Sequence, residues 1–225
     1  MPVPRHPVPP QERSFPVRKI TSAALAATSA SALALFLSPA AYAANLTATV
    51  TNGGSVTATN SGNLVITDTT TGVAVTCTAS TGTGSIPNGV KSGASPLQVG
   101  TIGAISFTGC KGGGFTFTVT TNALPWKVNV TGATSGGVTA GSISGISAHA
   151  SAAFGVCQMD IAGTAAGSYT NATGKLTAGG SGLVISNVTA GCLGIAGNGH
   201  SASLTGAYIV KNSGGTFPQI NTTSP

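Results

Sequence analysis

Charge is scarce in this chain: nine basic and three acidic residues stand among 225, against 33 glycines. Aromatic residues are equally rare, at 5%. A helical bundle needs Glu, Lys, Arg and Leu in quantity, so the composition excludes one. Charge-driven disorder is excluded too, because 41% of the residues are hydrophobic. An all-β, turn-rich domain fits what remains.

Beyond residue 43 the absences sharpen. Arg and Glu vanish, leaving Lys91, Lys111, Lys127, Lys175 and Lys211 against Asp68 and Asp160. Five scattered lysines make no basic stripe, so nucleic acid is not an expected partner. The usual anion clamp and the commonest general acid are missing. Glycoside hydrolysis needs two neighbouring carboxylates, whereas Asp68 and Asp160 read as a turn residue and a strand-face residue. His149 and His200 leave a Ser-His-Asp triad arithmetically open, but no G-x-S-x-G elbow occurs. His149 shares its phase with Ser147 and Ser151 and reads as exposed. His200 shares its phase with Leu204 and Tyr208 and reads as partly buried and structural. Gly174-Lys175 is followed by Leu176, which breaks a phosphate loop. No two cysteines are close neighbours, as a zinc site requires. The expectation is a protein without metal, cofactor or catalytic residues, and not an enzyme.

What is present starts with an address. Arg5, Arg13, Arg18 and Lys19 precede an uncharged run from Ile20 to Leu37, and Ala41-x-Ala43 supplies a small-residue cleavage pair. Residues 1–43 therefore read as a secretory signal peptide cut before Ala44. Export places the protein outside the cell or in its wall, with no transmembrane segment in the mature chain. Cys77, Cys110, Cys157 and Cys192 all follow the cut. An even count in an exported chain reads as two disulfides with three connectivities. Thirty-odd residues separate the first pair and the last pair, and both Cys110 and Cys192 follow an apolar segment and a Gly. Cys77–Cys110 and Cys157–Cys192 are the favoured bridges, and the two halves read as a weak internal duplication.

Periodicity along the chain is two rather than 3.6. Phe115, Phe117 and Val119 alternate with Thr116, Thr118 and Thr120, and Trp126, Val128 and Val130 continue after Asn122–Pro125 as the second arm of a hairpin. Further strands are expected at Leu46–Thr51, Ser55–Thr59, Leu64–Asp68, Val73–Ala79, Ile143–Ala150, Phe154–Ile161, Lys175–Ala178, Leu183–Val188 and Ser201–Val210. Ile86–Pro96 reads as a surface loop. The expected architecture is a single antiparallel β-sandwich or partly closed barrel over residues 44–210, with a flexible tail over 211–225. Trp126 has two readings, a core plug in phase with Val128 or a platform on which a glycan stacks.

The leader and the Gly/Ala/Thr/Ser-rich body resemble secreted proteins of actinobacteria, Streptomyces above all. Val99–Val210 resembles exported proteins with strand-Cys, Leu-Pro-Trp and Tyr-x-Asn elements, here Ile105-Ser-Phe-Thr-Gly-Cys110, Leu124-Pro-Trp126 and Tyr169-Thr-Asn171. Through the Leu-Pro-Trp strand and the paired cysteines it is more loosely similar to extracellular activator-of-alkane-oxidation type proteins. Antibiotic-carrying chromoprotein apoproteins share the composition and an Ig-like sandwich, but their cysteines close much shorter loops. None of these resemblances implies a catalytic residue here. The expected function is a non-enzymatic secreted or envelope-associated structural protein. Phe115–Thr121 and Leu183–Val188 lack charge and Pro, so they read either as edges that pair with envelope components or a second copy, or as central strands. The alternative function is a soluble module that binds an apolar small molecule or a glycan. A pore ranks last, because most apolar runs are short and the outward positions carry hydroxyls.

Overall fold

The computed structural model describes residues 44–192 and 194–225; the expected signal peptide lies outside them. They form fifteen strands and two short 3-10 turns. In chain order the strands are β1 (Asn45–Thr51), β2 (Gly54–Asn60), β3 (Leu64–Asp68), β4 (Ala74–Cys77), β5 (Ala79–Ile86) and β6 (Gly89–Ala94). Then come β7 (Leu97–Thr108), β8 (Cys110–Gly112), β9 (Phe115–Thr121), β10 (Trp126–Val130) and β11 (Val138–Ala152). The last four are β12 (Gln158–Thr170), β13 (Lys175–Ser186), β14 (Ser201–Asn212) and β15 (Gln219–Thr223).

Register shows how these pieces combine. β14 pairs with β2 through Tyr208↔Asn60 and with β3 through Ala202↔Asp68, so β2 and β3 run on as one interrupted strand. β11 likewise pairs with β9 at Ala150↔Val119 and with β10 at Ile143↔Val128. The same logic joins β4 to β5 and β7 to β8. Four interrupted strands and the long strands β11, β12, β13 and β14 thus make eight staves. Each pairs antiparallel with its neighbour, and β14 closes on the first. The all-β expectation holds, and the ladder closes into an eight-stranded barrel. One seam interrupts the wall. Along Gly103–Thr108 of β7 and Thr118–Thr121 of β9 no ladder forms, and Thr121 Oγ1 reaches the Ile105 carbonyl at 3.5 Å.

Alternation decides what faces inward. On β11 Ile146, Ala148, Ala150 and Ala152 are buried, while Ser147, His149 and Ser151 stand outward. Gly145 supplies an extra residue at a bulge, with a φ of +75° that suits glycine, and so moves the inward phase from Ile143 to Ile146. Gly163 and Gly182 serve a close approach: a Cβ on Gly163 would stand 2.2 Å from the Gly182 carbonyl.

A three-stranded sheet, in the order β15–β1–β6, closes one end of the barrel. Leu46, Ala48, Val50 and Ile220 from this sheet pack on Val56, Ile86, Val99 and Val210 from the staves. Two expectations are corrected here. Residues 211–225 are not a mobile tail: β15 pairs along β1, and Ile220 is 2% exposed. Ile86–Pro96 is not a loop, because β6 pairs along the other edge of β1. Both segments alternate apolar and polar residues too briefly to stand out, and the sheet supplies the burial.

At the opposite end, the segment between β13 and β14 folds over the staves and buries Ile195. Its 3-10 turn Ala190–Cys192 is tied to the start of β12 by Cys157–Cys192. The other bridge, Cys77–Cys110, staples β4 to β8 in the wall. Both favoured pairings are present, but one crosses adjacent staves and the other anchors an end loop. The similar surroundings of the cysteines are therefore not carried into a structural repeat. β9 and β10 do not form the expected hairpin, since Asn122–Pro125 offsets the chain without reversing it and both strands pair with β11. The window Leu183–Val188 is not a free edge, because β13 is laddered on both sides. In Phe115–Thr121, β9 ladders to β8 over Phe115–Phe117 and to β11 over Phe117–Thr121, so its second half is laddered on one side only and faces the seam. Phe154 belongs to a turn between β11 and β12 rather than to a strand.

Candidate functional site

Eight staves enclose a space just wide enough for side chains to fill, or for one small ligand when they do not fill it. Here they do not. The inward positions of several staves are small: Ala58 on β2, Gly82 and Gly84 on β5, Ala148 and Ala150 on β11, and Ala178 on β13. Larger neighbours, among them Ile102, Phe107, Met159, Ile161 and Leu183, cannot collapse onto the gap because the ladder fixes the wall. A cavity of about 130 Å³ remains. Packed interiors rarely hold voids beyond the size of one water, and an apolar cavity of about 150 Å³ takes up benzene.

The lining is apolar almost throughout. Four buried residues of the lining carry polar side chains, and each is hydrogen-bonded within the protein. Trp126, 4% exposed, donates its indole N–H to the Asn122 carbonyl at 3.3 Å. It is thus a core residue of the lumen wall, and no face is open to an external glycan. Tyr169 donates to the Pro218 carbonyl at 2.8 Å, and burial pushes its phenol up to about 12. Asp68 lies at the end covered by Ile195. Its Oδ1 accepts the N–H groups of Thr70 and Thr71, and its Oδ2 stands 2.7 Å from His200 Nδ1. Burial raises the Asp68 carboxyl, but the Thr71 and Thr70 N–H groups and His200 outweigh it and hold the group below the ordinary aspartate value. Tyr208, the fourth, has its oxygen 2.8 Å from Ser80 Oγ, and both are buried. Burial pushes this phenol up to about 12 against the Ser80 hydrogen bond.

Beside the seam, Ile105, Phe107 and Val119 line the cavity yet remain half-buried. The opposite wall, with Met159, Ile161, Leu183 and Ile185, is fully buried. The lumen is therefore less shielded on the β7–β9 side.

A second His–Asp pair stands outside the barrel. His149 and Asp160 face each other across β11 and β12, with Nδ1 and Oδ1 2.6 Å apart. Asp160 also accepts the Asn187 side-chain N–H at 2.6 Å, and this bond, then His149, lowers its carboxyl. The expected outward phase of His149 and the partly buried setting of His200 both hold. Among the described residues no hydroxyl bonds to Nε2 of either histidine, so neither pair extends to a serine. No group of three His, Cys, Asp or Glu there gathers for a metal ion.

Sequence reasoning missed the residues that make the lumen. Gly82 and Gly84 fall outside the strands expected from sequence, and Ala58 falls inside one with no role assigned, although alternation within β5 and β2 places all three on one face. Comparison with protein-family models, curated proteins and solved structures finds no match for this chain.

Proposed function

We propose that this protein is an extracellular binding module that holds one apolar small molecule, of about the size of a single ring, inside the barrel. The unfilled apolar lumen carries the reading. Burial of the ligand there draws on the same driving force that buries a side chain, at roughly 25 cal/mol per Å². A glycan fits poorly, because the lining is almost wholly apolar, Trp126 and Tyr169 have spent their single donors, and Asp68 has no donor to offer. The β7–β9 seam is the entrance, since parting it breaks no ladder hydrogen bond. The two disulfides suit an oxidising, extracellular setting.

Wall polarity separates this barrel from a pore. β11 has 15 residues and β12 has 13, long enough to span a bilayer, so strand length does not exclude one. Polarity does: membrane barrels present an apolar band outward, and here Thr, Ser and Gly face outward around an apolar lumen.

The test is calorimetric titration of the oxidised protein with benzene, toluene and cyclohexane. Saturable binding with negative heat-capacity change is expected, together with a higher Tm. Ala150→Leu and Ala148→Leu fill the lumen and abolish binding while the protein stays folded. Absence of binding in the unaltered protein, or binding indifferent to both substitutions, would falsify the proposal.

A second reading, residence at the envelope, rests on the outer wall of β2, β5 and β7. Ser55, Thr57 and Thr59 stand beside Ser85, Thr83 and Thr81, and Thr81 Oγ1 is 3.1 Å from Ser106 Oγ. These three strands carry no charged residue, so the hydroxyl rows offer neutral hydrogen bonding to a polysaccharide. Fractionation of producing cells tests it: recovery only from the medium removes this reading and leaves the binding module intact.

A further inference from the structure

The hydroxyl pair of Tyr208 and Ser80 has one proton more than it uses. Tyr208 extends from β14, and Ser80 from β5; β2 lies between them, with Asn60 paired to Tyr208 and the small Ala58 two residues along, level with Val210 and Gly82. Two hydroxyls carry two protons, and their mutual bond at 2.8 Å takes one. Neither oxygen has another hydrogen-bond partner among the described residues. The nearest polar side chain on β2, Asn60, is spent on the Gly62 and Thr78 carbonyls and the Ser80 N–H. Thr83 and Thr101, which also line the cavity, are exposed and half-buried, so water reaches their hydroxyls. Trp126, Tyr169 and Asp68 are bonded within the protein, and among the buried polar residues of the lining only Tyr208, through its pair with Ser80, keeps a proton without an acceptor. Both residues are nearly closed to solvent, at 7% and 2% exposure, so bulk water does not satisfy it.

An unused buried donor costs free energy in the empty protein, and a ligand atom that accepts it recovers that cost. We infer that the lumen selects an apolar molecule bearing a single hydrogen-bond acceptor, a ketone, ester or ether oxygen, which the Tyr208–Ser80 pair receives; this rests on the lumen being the binding site. A pure hydrocarbon of the same shape still enters, but leaves the donor unmet. The phenol is raised to about 12, so the pair keeps both protons across the neutral range.

The probes are cyclohexanone and methylenecyclohexane, which share a shape and differ in the acceptor. The double variant Ser80→Ala/Tyr208→Phe removes both oxygens and leaves the ring in place. Affinity for cyclohexanone is expected to fall about tenfold relative to methylenecyclohexane, the ordinary worth of one hydrogen bond. A second readout needs no variant: the infrared carbonyl stretch of cyclohexanone bound to the unaltered protein should lie below its value in a hydrocarbon solvent. An unchanged affinity ratio, or an unshifted carbonyl stretch with both probes bound, overturns the inference and spares the lumen reading. Failure of both probes to bind overturns the two together.

Discussion

His200 and Asp68 meet across 132 positions of sequence, Nδ1 to Oδ2 at 2.7 Å, where β14 begins and β3 ends. The contact fastens the closed end of the barrel beside the segment that carries Ile195. Asp68 also holds the turn that follows it through the Thr70 and Thr71 N–H groups.

Stability should therefore depend on acid. The Asp68 and Asp160 carboxyls lie below their ordinary value in the folded state. A depressed carboxyl stabilises the fold above its unfolded pKa, near 3.9, and that contribution is lost as pH falls through the folded value. Thermal unfolding from pH 6 to pH 2.5 should show Tm falling below about pH 4. Asp68→Asn should lower stability by about 1–3 kcal/mol at pH 6, with a gap that narrows toward pH 2.5. A gap constant with pH would show that the charge of Asp68 is not involved. At the other extreme, Tyr169 and Tyr208 are raised to about 12, so their contribution is lost above pH 10.

The wall disulfide and the end-loop disulfide close loops of similar length, with sequence separations of 33 and 35. Each should contribute roughly 3–4 kcal/mol through the unfolded chain. Urea unfolding of Cys77→Ser/Cys110→Ser and of Cys157→Ser/Cys192→Ser measures this. The second variant should also increase hydrogen exchange in the β13–β14 segment, because that bridge ties its turn to β12.

Ile220 provides the sharpest check on the end sheet. It is 2% exposed, and Asn171 bonds its N–H at 2.9 Å and its carbonyl at 3.0 Å. Ile220→Ala should cost about 2–5 kcal/mol, and a chain ending at Asn212 should fold poorly. A cost below 0.5 kcal/mol would mean that β15 is not docked.

Phe154 behaves oppositely. It is fully exposed, at 103%, and holds φ at +60°, a conformation that a bulky residue adopts at a cost. Phe154→Gly or Phe154→Asn should leave stability unchanged or raise it by up to about 1 kcal/mol. Loss of stability in denaturant titration would show that the ring packs on the protein.

Strand chemistry was legible residue by residue. Phe115, Phe117 and Val119 alternate with Thr because a pleat sends neighbours to opposite faces, and that alternation survives in the fold. The phase of His149 and the two cysteine pairs were readable for similar reasons, one from period two and the other from export and spacing. Trp126 was readable only as two options; its indole bond to Asn122 and its burial on the lumen wall decide between them.

The sequence by itself determined that this chain makes β-strands with one apolar face and links them by two disulfides. Local spacing and composition suffice for that, since both act within a few residues or through cysteine number. Only tertiary structure decided that the apolar faces close around a lumen, that β15 seals an end, and that Tyr208 meets Ser80 across an intervening strand. Those outcomes depend on register between segments more than a hundred positions apart. A one-residue slip turns every inward side chain outward, and no local pattern fixes which small residues will share a cavity.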